Sequence, residues 1–457
     1  MKTIAAIATP PGQGGISIIR IAGDDALTIA DRIFQPVKKS IQPSQKEHGT
    51  FLYGHVINPN QQSQVVDEAI LLIYRAPNSY TCEETVEIQG HGGIVCAERI
   101  LQTAIENGAE PAAPGEFTKR AFLNGRIDLV QAEAVMDLIN ADSRKAANAA
   151  IEQLDGHLSD DFNKVYDDLM DVATNIEATF DFVEHELPDS VMQGIIQSVE
   201  QVKKETKALI DTWNEGHLLR DGVLLVISGK PNAGKSTLFN KMLGFERAIV
   251  TNVAGTTRDT IEEKIIISGI SFRLVDTAGI RKSDCHIEQK GVARALNIID
   301  RADINIYIAD ISTEVTTETK DHIESLPKDK SIIILNKIDK EPKFDTSILE
   351  GFTVIKISLQ TKETNLQDLN NAIVNLLGIN PNSQPHAVIS SRHKNILQNI
   401  YRLIGEVEEL VKLEDESQLI FAAGQLREAI ELAGEITGKT YHKSLLDNIF
   451  SRFCIGK

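Results

Sequence analysis

Eight consecutive residues, Gly229-Lys230-Pro231-Asn232-Ala233-Gly234-Lys235-Ser236, place a glycine, four variable positions, a second glycine, a lysine and a hydroxyl in one short run. Glycines let backbone N–H groups close around an anion, and a helix starting directly after them adds its dipole. In such a loop Lys235 is suited to neutralise β- and γ-phosphates, and Ser236 to ligate Mg²⁺. Asn232, Ala233, Gly234 and Thr237 complete the expected phosphate contacts.

Two more short runs extend that chemistry. Asp276-Thr277-Ala278-Gly279 follows an apolar stretch, so Asp276 would hold Mg²⁺ through water and the Gly279 N–H would bond the γ-phosphate. Asn336-Lys337-Ile338-Asp339 follows another. Asp339 can accept from both the N1–H and the 2-amino group of guanine; adenine lacks that pair, so GTP is expected rather than ATP. Between them lie Thr251, Asn252, Val253, Ala254, Gly255, Thr256 and Thr257, followed by Arg258-Asp259, where a switch loop belongs; Thr257 is assigned to Mg²⁺, against a plain solvated loop. Ser358-Leu359-Gln360 occupies the place of a loop against the base, matching at the serine alone. A water-orienting glutamine is expected just after Gly279, but Ile280 stands there. Glu288, the one glutamate in 281–290, is the candidate in its stead, with an exposed helix-start residue as the alternative.

The elements that must hold these residues can be read from hydrophobic period. Up to about residue 120, β-like runs at 4–8, 15–21, 64–74 and 85–89 surround helical stretches near 24–34 and 93–107, an α+β pattern. Residues 121–218 read as long amphipathic helices at 129–155, 159–181 and 195–220. From 219 to 379, apolar strands at 223–228, 261–267, 272–275, 304–309, 332–335 and 353–357 alternate with helices, the pattern of a mostly parallel sheet covered on both faces. After Pro381 and Pro385 the chain is helical to residue 457.

The 457 residues carry 47 basic and 65 acidic side chains, a net charge of −18, which disfavours non-specific binding to nucleic acid or anionic membrane while leaving room for a local basic groove. Cys82, Cys96, Cys285 and Cys454 are scattered, so neither a disulfide framework nor a zinc site is expected, and a reducing cytoplasm is the default. The short apolar start ending at Pro10-Pro11 is too short for a signal core, and no run is long enough to span a membrane.

With these motifs in place, the chain resembles the tRNA modification GTPase MnmE (TrmE) family over essentially its whole length. The resemblance rests on Ala8-Thr9-Pro10-Pro11-Gly12, Gly14-Gly15 and Arg20; Gln89-Gly90-His91-Gly92-Gly93; Pro114-Gly115-Glu116-Phe117; Arg120-Ala121-Phe122-Leu123-Asn124; Gln131-Ala132-Glu133-Ala134; Gly255-Thr256-Thr257-Arg258-Asp259; and Phe453-Cys454-Ile455-Gly456-Lys457. It implies an α/β multidomain protein: an α+β folate-binding and dimerising domain (1–120), an all-α helical domain (121–218 and 380–457), and a P-loop GTPase domain of Ras-like α/β fold inserted into it (219–379).

The resemblance further implies a cytoplasmic homodimer working with the flavoprotein MnmG, as a heterotetramer or larger complex. The partner would carry FAD and hold most of the tRNA. Together they would add a carboxymethylaminomethyl or aminomethyl group at C5 of the wobble uridine, with a tetrahydrofolate derivative (5-formyl or 5,10-methylene) supplying one carbon. Arg20, Glu87, Arg126 and Lys457 match the family's folate contacts, with arginine at 126 where lysine also occurs. Asn232, Thr251, Val253 and Thr256 match ligands of an activating K⁺, and Glu288 matches the catalytic glutamate, acting through water. Cys454 is either a thiol nucleophile or a small packed residue. A rival reading, a ribosome-assembly or regulatory GTPase acting as a binding switch, fits the 219–379 region equally well but gives no role to Arg20, Glu87 or the terminus.

Overall fold

The computed structural model describes residues 1–38, 40–180, 189–245, 262–276, 301–361, 366–378, 389–413 and 416–457. The chain divides into two units: Met1–Met136 with Leu154–Asp171 and Arg427–Lys457, and Asp137–Gln153 with Val172–Leu426.

In the first unit, strands β1 (Ile4–Ile7), β2 (Ile16–Ala22), β3 (Phe34–Pro36), β4 (Thr50–Asn58), β5 (Gln64–Tyr74), β6 (Thr85–His91) and β7 (Glu110–Pro111) form one sheet, ordered β3-β4-β5-β6-β2-β1-β7. Its pairs are antiparallel except β1 with β7. Strand side chains alternate between faces. Ile19, Ile21, Leu71, Ile73, Val86 and Ile88 therefore share one face, buried under Ile29 and Ile33 of helix Ala26–Ile33 and Ile100 and Ala104 of helix Ile94–Glu106. The residues between them, including Arg20 and Glu87, point to the other face. Phe122 of helix Glu116–Leu123 joins Leu129, Leu446, Ile449, Phe450 and Phe453 in a second cluster, which docks helix Lys443–Phe450.

Strand β4 departs from the sequence reading, which left 50–58 unassigned. Its outward side carries the apolar Phe51, Tyr53 and Ile57 and its inward side the small Gly54, so no polar–apolar alternation shows, yet Leu52 and Val56 reach the core. The predicted helix over 129–155 is two, Leu129–Asn140 and Arg144–Leu154, because Ser143 Oγ accepts the Ala146 N–H at 3.1 Å and starts a new helix. The stretch read as 195–220 is likewise Asp189–Asp211 and Trp213–Asp221.

In the second unit, β8 (Val223–Gly229), β9 (Glu262–Ile267), β10 (Ile270–Asp276), β11 (Ile304–Asp310), β12 (Ser331–Asn336) and β13 (Thr353–Ile357) form a sheet ordered β13-β12-β11-β8-β10-β9, parallel except for β9 against β10. One face packs Leu225 and Ile227 against Leu238 and Met242 of helix Lys235–Phe245 and Leu369 and Ile373 of helix Gln367–Leu376. The other packs Tyr307, Ile333 and Leu335 against Ile323 of helix Thr317–Ser325. Double-sided burial explains why the central β8, β11 and β12 read as continuous apolar runs. Helix Ser391–Val411 buries Leu397, Ile400, Leu403, Ile404, Val407 and Val411 along one stripe, packs on helix Asp189–Asp211, and is tied to it by Lys203 Nζ donating to Glu408 Oε2 at 2.6 Å.

Candidate functional site

The strand order of the second unit reverses at β8: the chain goes from β8 to β9 and β10 on one side, then to β11, β12 and β13 on the other. In open parallel sheets ligands bind at the carboxyl ends of strands beside such a reversal. The phosphate-loop residues leave β8 at that point, and helix Lys235–Phe245 begins immediately after them. Asn232, at φ 64°, and Gly234, at φ 116°, both adopt left-handed backbone there. A Cβ on Gly234 would sit 2.4 Å from Asn336 Nδ2, so only glycine lets the loop close on β12. Lys235 Nζ donates to the carbonyls of Gly229 at 2.9 Å and Lys230 at 2.8 Å, and its side chain is largely buried over the loop. Ser236 and Thr237 lie exposed in the first helical turn.

Asn336 explains why an asparagine must end β12. Its Nδ2 donates to the Ala233 carbonyl at 2.8 Å, and its Oδ1 accepts the N–H of Lys337 at 2.8 Å and of Leu359 at 3.1 Å. One buried side chain thus binds three loops from three strands to each other. Lys337 Nζ donates to the Asn232 carbonyl at 3.0 Å and pairs with Asp310. Ser358 donates its hydroxyl to Asp339 Oδ1. That bond, with a backbone N–H, holds the Asp339 carboxyl below the usual carboxylate range and keeps it ionised as an acceptor. Burial alone would raise Asp310, but hydrogen bonds from Lys337 and Ser312 outweigh it and keep that carboxyl low as well. Asp310 was missed at the sequence level; the signal was an aspartate closing the apolar strand β11, as Asp276 closes β10. The structure therefore brings Asn232, Ala233, Gly234, Lys235, Asn336, Lys337, Asp339 and Ser358 to one sheet edge, with Asp276 ending β10 on it. Thr251, Asn252, Val253, Ala254, Gly255, Thr256, Thr257, Thr277, Ala278, Gly279 and Glu288 lie outside the described residues.

A separate constellation lies on the other face of the first unit's sheet, where Phe117 of helix Glu116–Leu123 packs with Ile4, Ala6 and Ala22. Arg20 on β2 and Glu87 on β6 are direct cross-strand partners, joined Nε to Oε1 at 2.8 Å, with side chains only 16% and 13% exposed. The Arg20 guanidinium lies over the rings of Tyr80 (5.4 Å) and Phe117 (5.5 Å). The Arg126 guanidinium lies over Tyr80 as well, at 4.8 Å, and donates to the Tyr80 carbonyl at 2.8 Å. Burial and the Glu87 carboxylate hold the Tyr74 hydroxyl above its usual range. Two guanidiniums and a carboxylate beside aromatic rings suit a planar, polar-edged ligand with an anionic tail. Nothing in the spacing of Tyr74, Tyr80 and Phe117 announces the cluster; Phe117 enters the sequence reading only within the run Pro114-Gly115-Glu116-Phe117.

The C-terminal segment reaches β1: a Cβ on Gly456 would lie 2.3 Å from the Ile7 carbonyl, so this glycine permits the close approach. Lys457 is half-buried beside it. The Cys454 carbonyl accepts the Gly115 N–H at 3.4 Å, and its thiol is free and exposed. Cys82 and Cys96 are free thiols too. Among the described residues no helix is long and apolar enough to cross a membrane, and no cluster of His, Cys, Asp and Glu could hold a metal by itself. Magnesium bound through hydroxyls and nucleotide oxygens needs no such cluster.

Two family descriptions match the chain: the GTP-binding protein TrmE N-terminus over residues 3–126, and the MnmE helical domain over 129–454. Proteins named tRNA modification GTPase MnmE align along all of it. The one from Bacillus subtilis (strain 168) is 40% identical over 100% of both chains, and that from Alkaliphilus oremlandii is 39% identical over 100% of this chain and 99% of its own. Among solved structures, the G domain of the T. maritima FeoB iron transporter aligns with 34% of this chain and 98% of that one at 24% identity, with a TM-score of 0.25, too loose a likeness to build on. On the full-length relation and both family matches, this chain belongs to the tRNA modification GTPase MnmE (TrmE) family.

Proposed function

We propose that this GTPase of tRNA modification hydrolyses GTP at the carboxyl edge of the second unit's sheet and uses the cycle to support modification of the wobble uridine at C5. The observation that carries the reading is the edge on which the phosphate loop, Asn336 and the Asp339–Ser358 pair are bonded into one frame. Lys235 and the loop N–H groups would hold the β- and γ-phosphates, and Asp339 the guanine edge. Ser236 and Thr257 would hold Mg²⁺, which neutralises charge developing in phosphoryl transfer. Asn232, Thr251, Val253 and Thr256 would hold K⁺, and Glu288 would orient the attacking water.

The Arg20–Glu87–Arg126 constellation, with Lys457, would take a tetrahydrofolate derivative as one-carbon donor. Its aromatic faces suit a pterin and its guanidiniums a glutamate tail. The chain would act in the cytoplasm as a homodimer with MnmG, whose FAD completes the chemistry and which holds most of the tRNA. Its domains would be 1–120, 121–218 with 380–457, and 219–379. A ribosome-assembly or regulatory switch gives this second constellation no purpose. GTP hydrolysis in K⁺ and in Na⁺, with 5-formyltetrahydrofolate calorimetry on the same sample, tests the reading. Strong K⁺ dependence and measurable heat are expected. Equal rates in both salts would remove the potassium assignment, and no heat at high micromolar ligand would remove the folate assignment.

A further inference from the structure

The chain is acidic overall, yet its segment 438–457 carries Lys439, Lys443, Arg452 and Lys457 against the single acid Asp447. The first part of that segment is a loop between helices Glu416–Thr437 and Lys443–Phe450, and it is held firmly. Thr440 donates its N–H to the Gly434 carbonyl at 3.2 Å and its hydroxyl to the Glu431 carbonyl at 3.0 Å. Tyr441 meets Phe122 edge-on, with ring centroids 5.4 Å apart, and is still 46% exposed. Lys439 lies over the Tyr166 ring at 3.9 Å and 3.6 Å from Asp167, so its stem is fixed while 39% of its side chain stays in solvent. His442 and Lys443 are exposed beside it. Phe122 lies in the last turn of helix Glu116–Leu123, and the same turn anchors Arg126 through the Arg126 N–H bonded to the Ala121 carbonyl at 2.9 Å. The loop and the arginine that borders the Arg20–Glu87 constellation are therefore both tied to the last turn of that helix.

A pre-ordered aromatic ring flanked by cations is the surface that single-stranded nucleic acid recognises: bases stack on the ring and phosphates take the cations. A helix N-terminus alone would not say this; the exposed, anchored Tyr441 does. We propose that the 438–443 loop is this chain's own contact with single-stranded RNA, a tRNA loop nucleotide stacking on Tyr441 while Lys439 and Lys443 neutralise the flanking phosphates. The inference rests on the tRNA-modification reading and adds to it a contact that does not depend on the partner flavoprotein.

The test uses the full chain alone and a labelled RNA hairpin with a seven-nucleotide loop, measured by fluorescence anisotropy across a salt series. Tyr441→Ala should weaken binding about tenfold and Tyr441→Phe should keep it. Lys439→Gln with Lys443→Gln should flatten the dependence of log K on log salt by about 1.4, two contacts at ~0.7 each. GTP hydrolysis should be unchanged in all three variants. No hairpin binding by the parent chain, or unchanged affinity and salt slope in both the alanine and the double-glutamine variants, would overturn the proposal. Loss of tRNA modification in the double variant with unchanged RNA binding would assign the loop to an acidic protein partner and overturn it equally. If the parent chain binds the hairpin but fails to restore modification in deleted cells, the functional reading fails and the loop assignment stands.

Discussion

The nucleotide edge of the second unit and the Arg20–Glu87 constellation of the first are built on opposite logics. At the edge, recognition would come from one contiguous loop and two short motifs, each closing a strand of the same mostly parallel sheet. Phosphate would be bound by backbone N–H groups that neighbouring residues supply, so the site is written locally. The other site pairs residues 67 positions apart, joined only because β2 lies beside β6. Its aromatic walls come from a loop and from a helix beyond the sheet. Local sites survive as motifs, whereas topological sites need the fold before they can be seen.

The largest expected effect separates the two sites. Lys235→Ala should weaken GTP binding roughly a hundredfold or more, since charge-assisted bonds to phosphate are worth about 1.5–3 kcal/mol each, and should leave 5-formyltetrahydrofolate heat unchanged. Calorimetry with both ligands checks this, and a fall in folate heat would show the sites to be coupled. Arg20→Ala runs the converse experiment. It strands a mostly buried carboxylate, so the first unit should lose about 2–3 kcal/mol of stability along with its ligand, while GTP turnover persists. A melt that does not move would mean the pair is not the structural centre of its site.

Asp339→Asn should come next, shifting preference from guanosine towards xanthosine triphosphate by about tenfold, read by competition binding. Ser358→Ala sharpens the same point with a smaller effect. Because the Ser358 hydroxyl is the main reason the Asp339 carboxyl lies below its ordinary 3.8, GTP affinity should stay flat as pH falls from 7 to 5. In the alanine variant the acid-side loss should begin at higher pH; coincident profiles would dismiss the contact. The smallest effect is expected at His91, raised above 6.5 by its hydrogen bond to Asp67. A group with a raised folded-state pKa adds stability that is full below 6.5 and is lost as pH rises through the folded value. Asp67→Asn should return His91 to its ordinary titration by NMR.

How much of this was legible in the sequence follows the same division. The six second-unit strands fall close to where the sequence places them, and the central β8, β11 and β12 do so because burial on both faces leaves no polar alternation to misread. In the first unit, β4 stayed hidden because apolar Phe51, Tyr53 and Ile57 lie on its outward side while the small Gly54 sits between the inward Leu52 and Val56. Periodicity does not register a single capping hydroxyl, so the break at Ser143 was invisible. In the sequence Asn336 reads as a base-motif residue, yet in the structure it bonds three loops together, a role that spacing does not reveal. Arg20 and Glu87 were reached through family resemblance alone, and Tyr74, Tyr80 and Phe117 required the fold.

The central claim is that GTP hydrolysis at the second unit's edge serves modification of wobble uridine. Mass spectrometry of wobble nucleosides in tRNA from cells deleted for this chain, then complemented with the parent chain or with Lys235→Ala, tests it most directly. Deletion should abolish the C5 modification, the parent chain should restore it and the variant should not. Intact C5 modification in the deleted cells would contradict the claim.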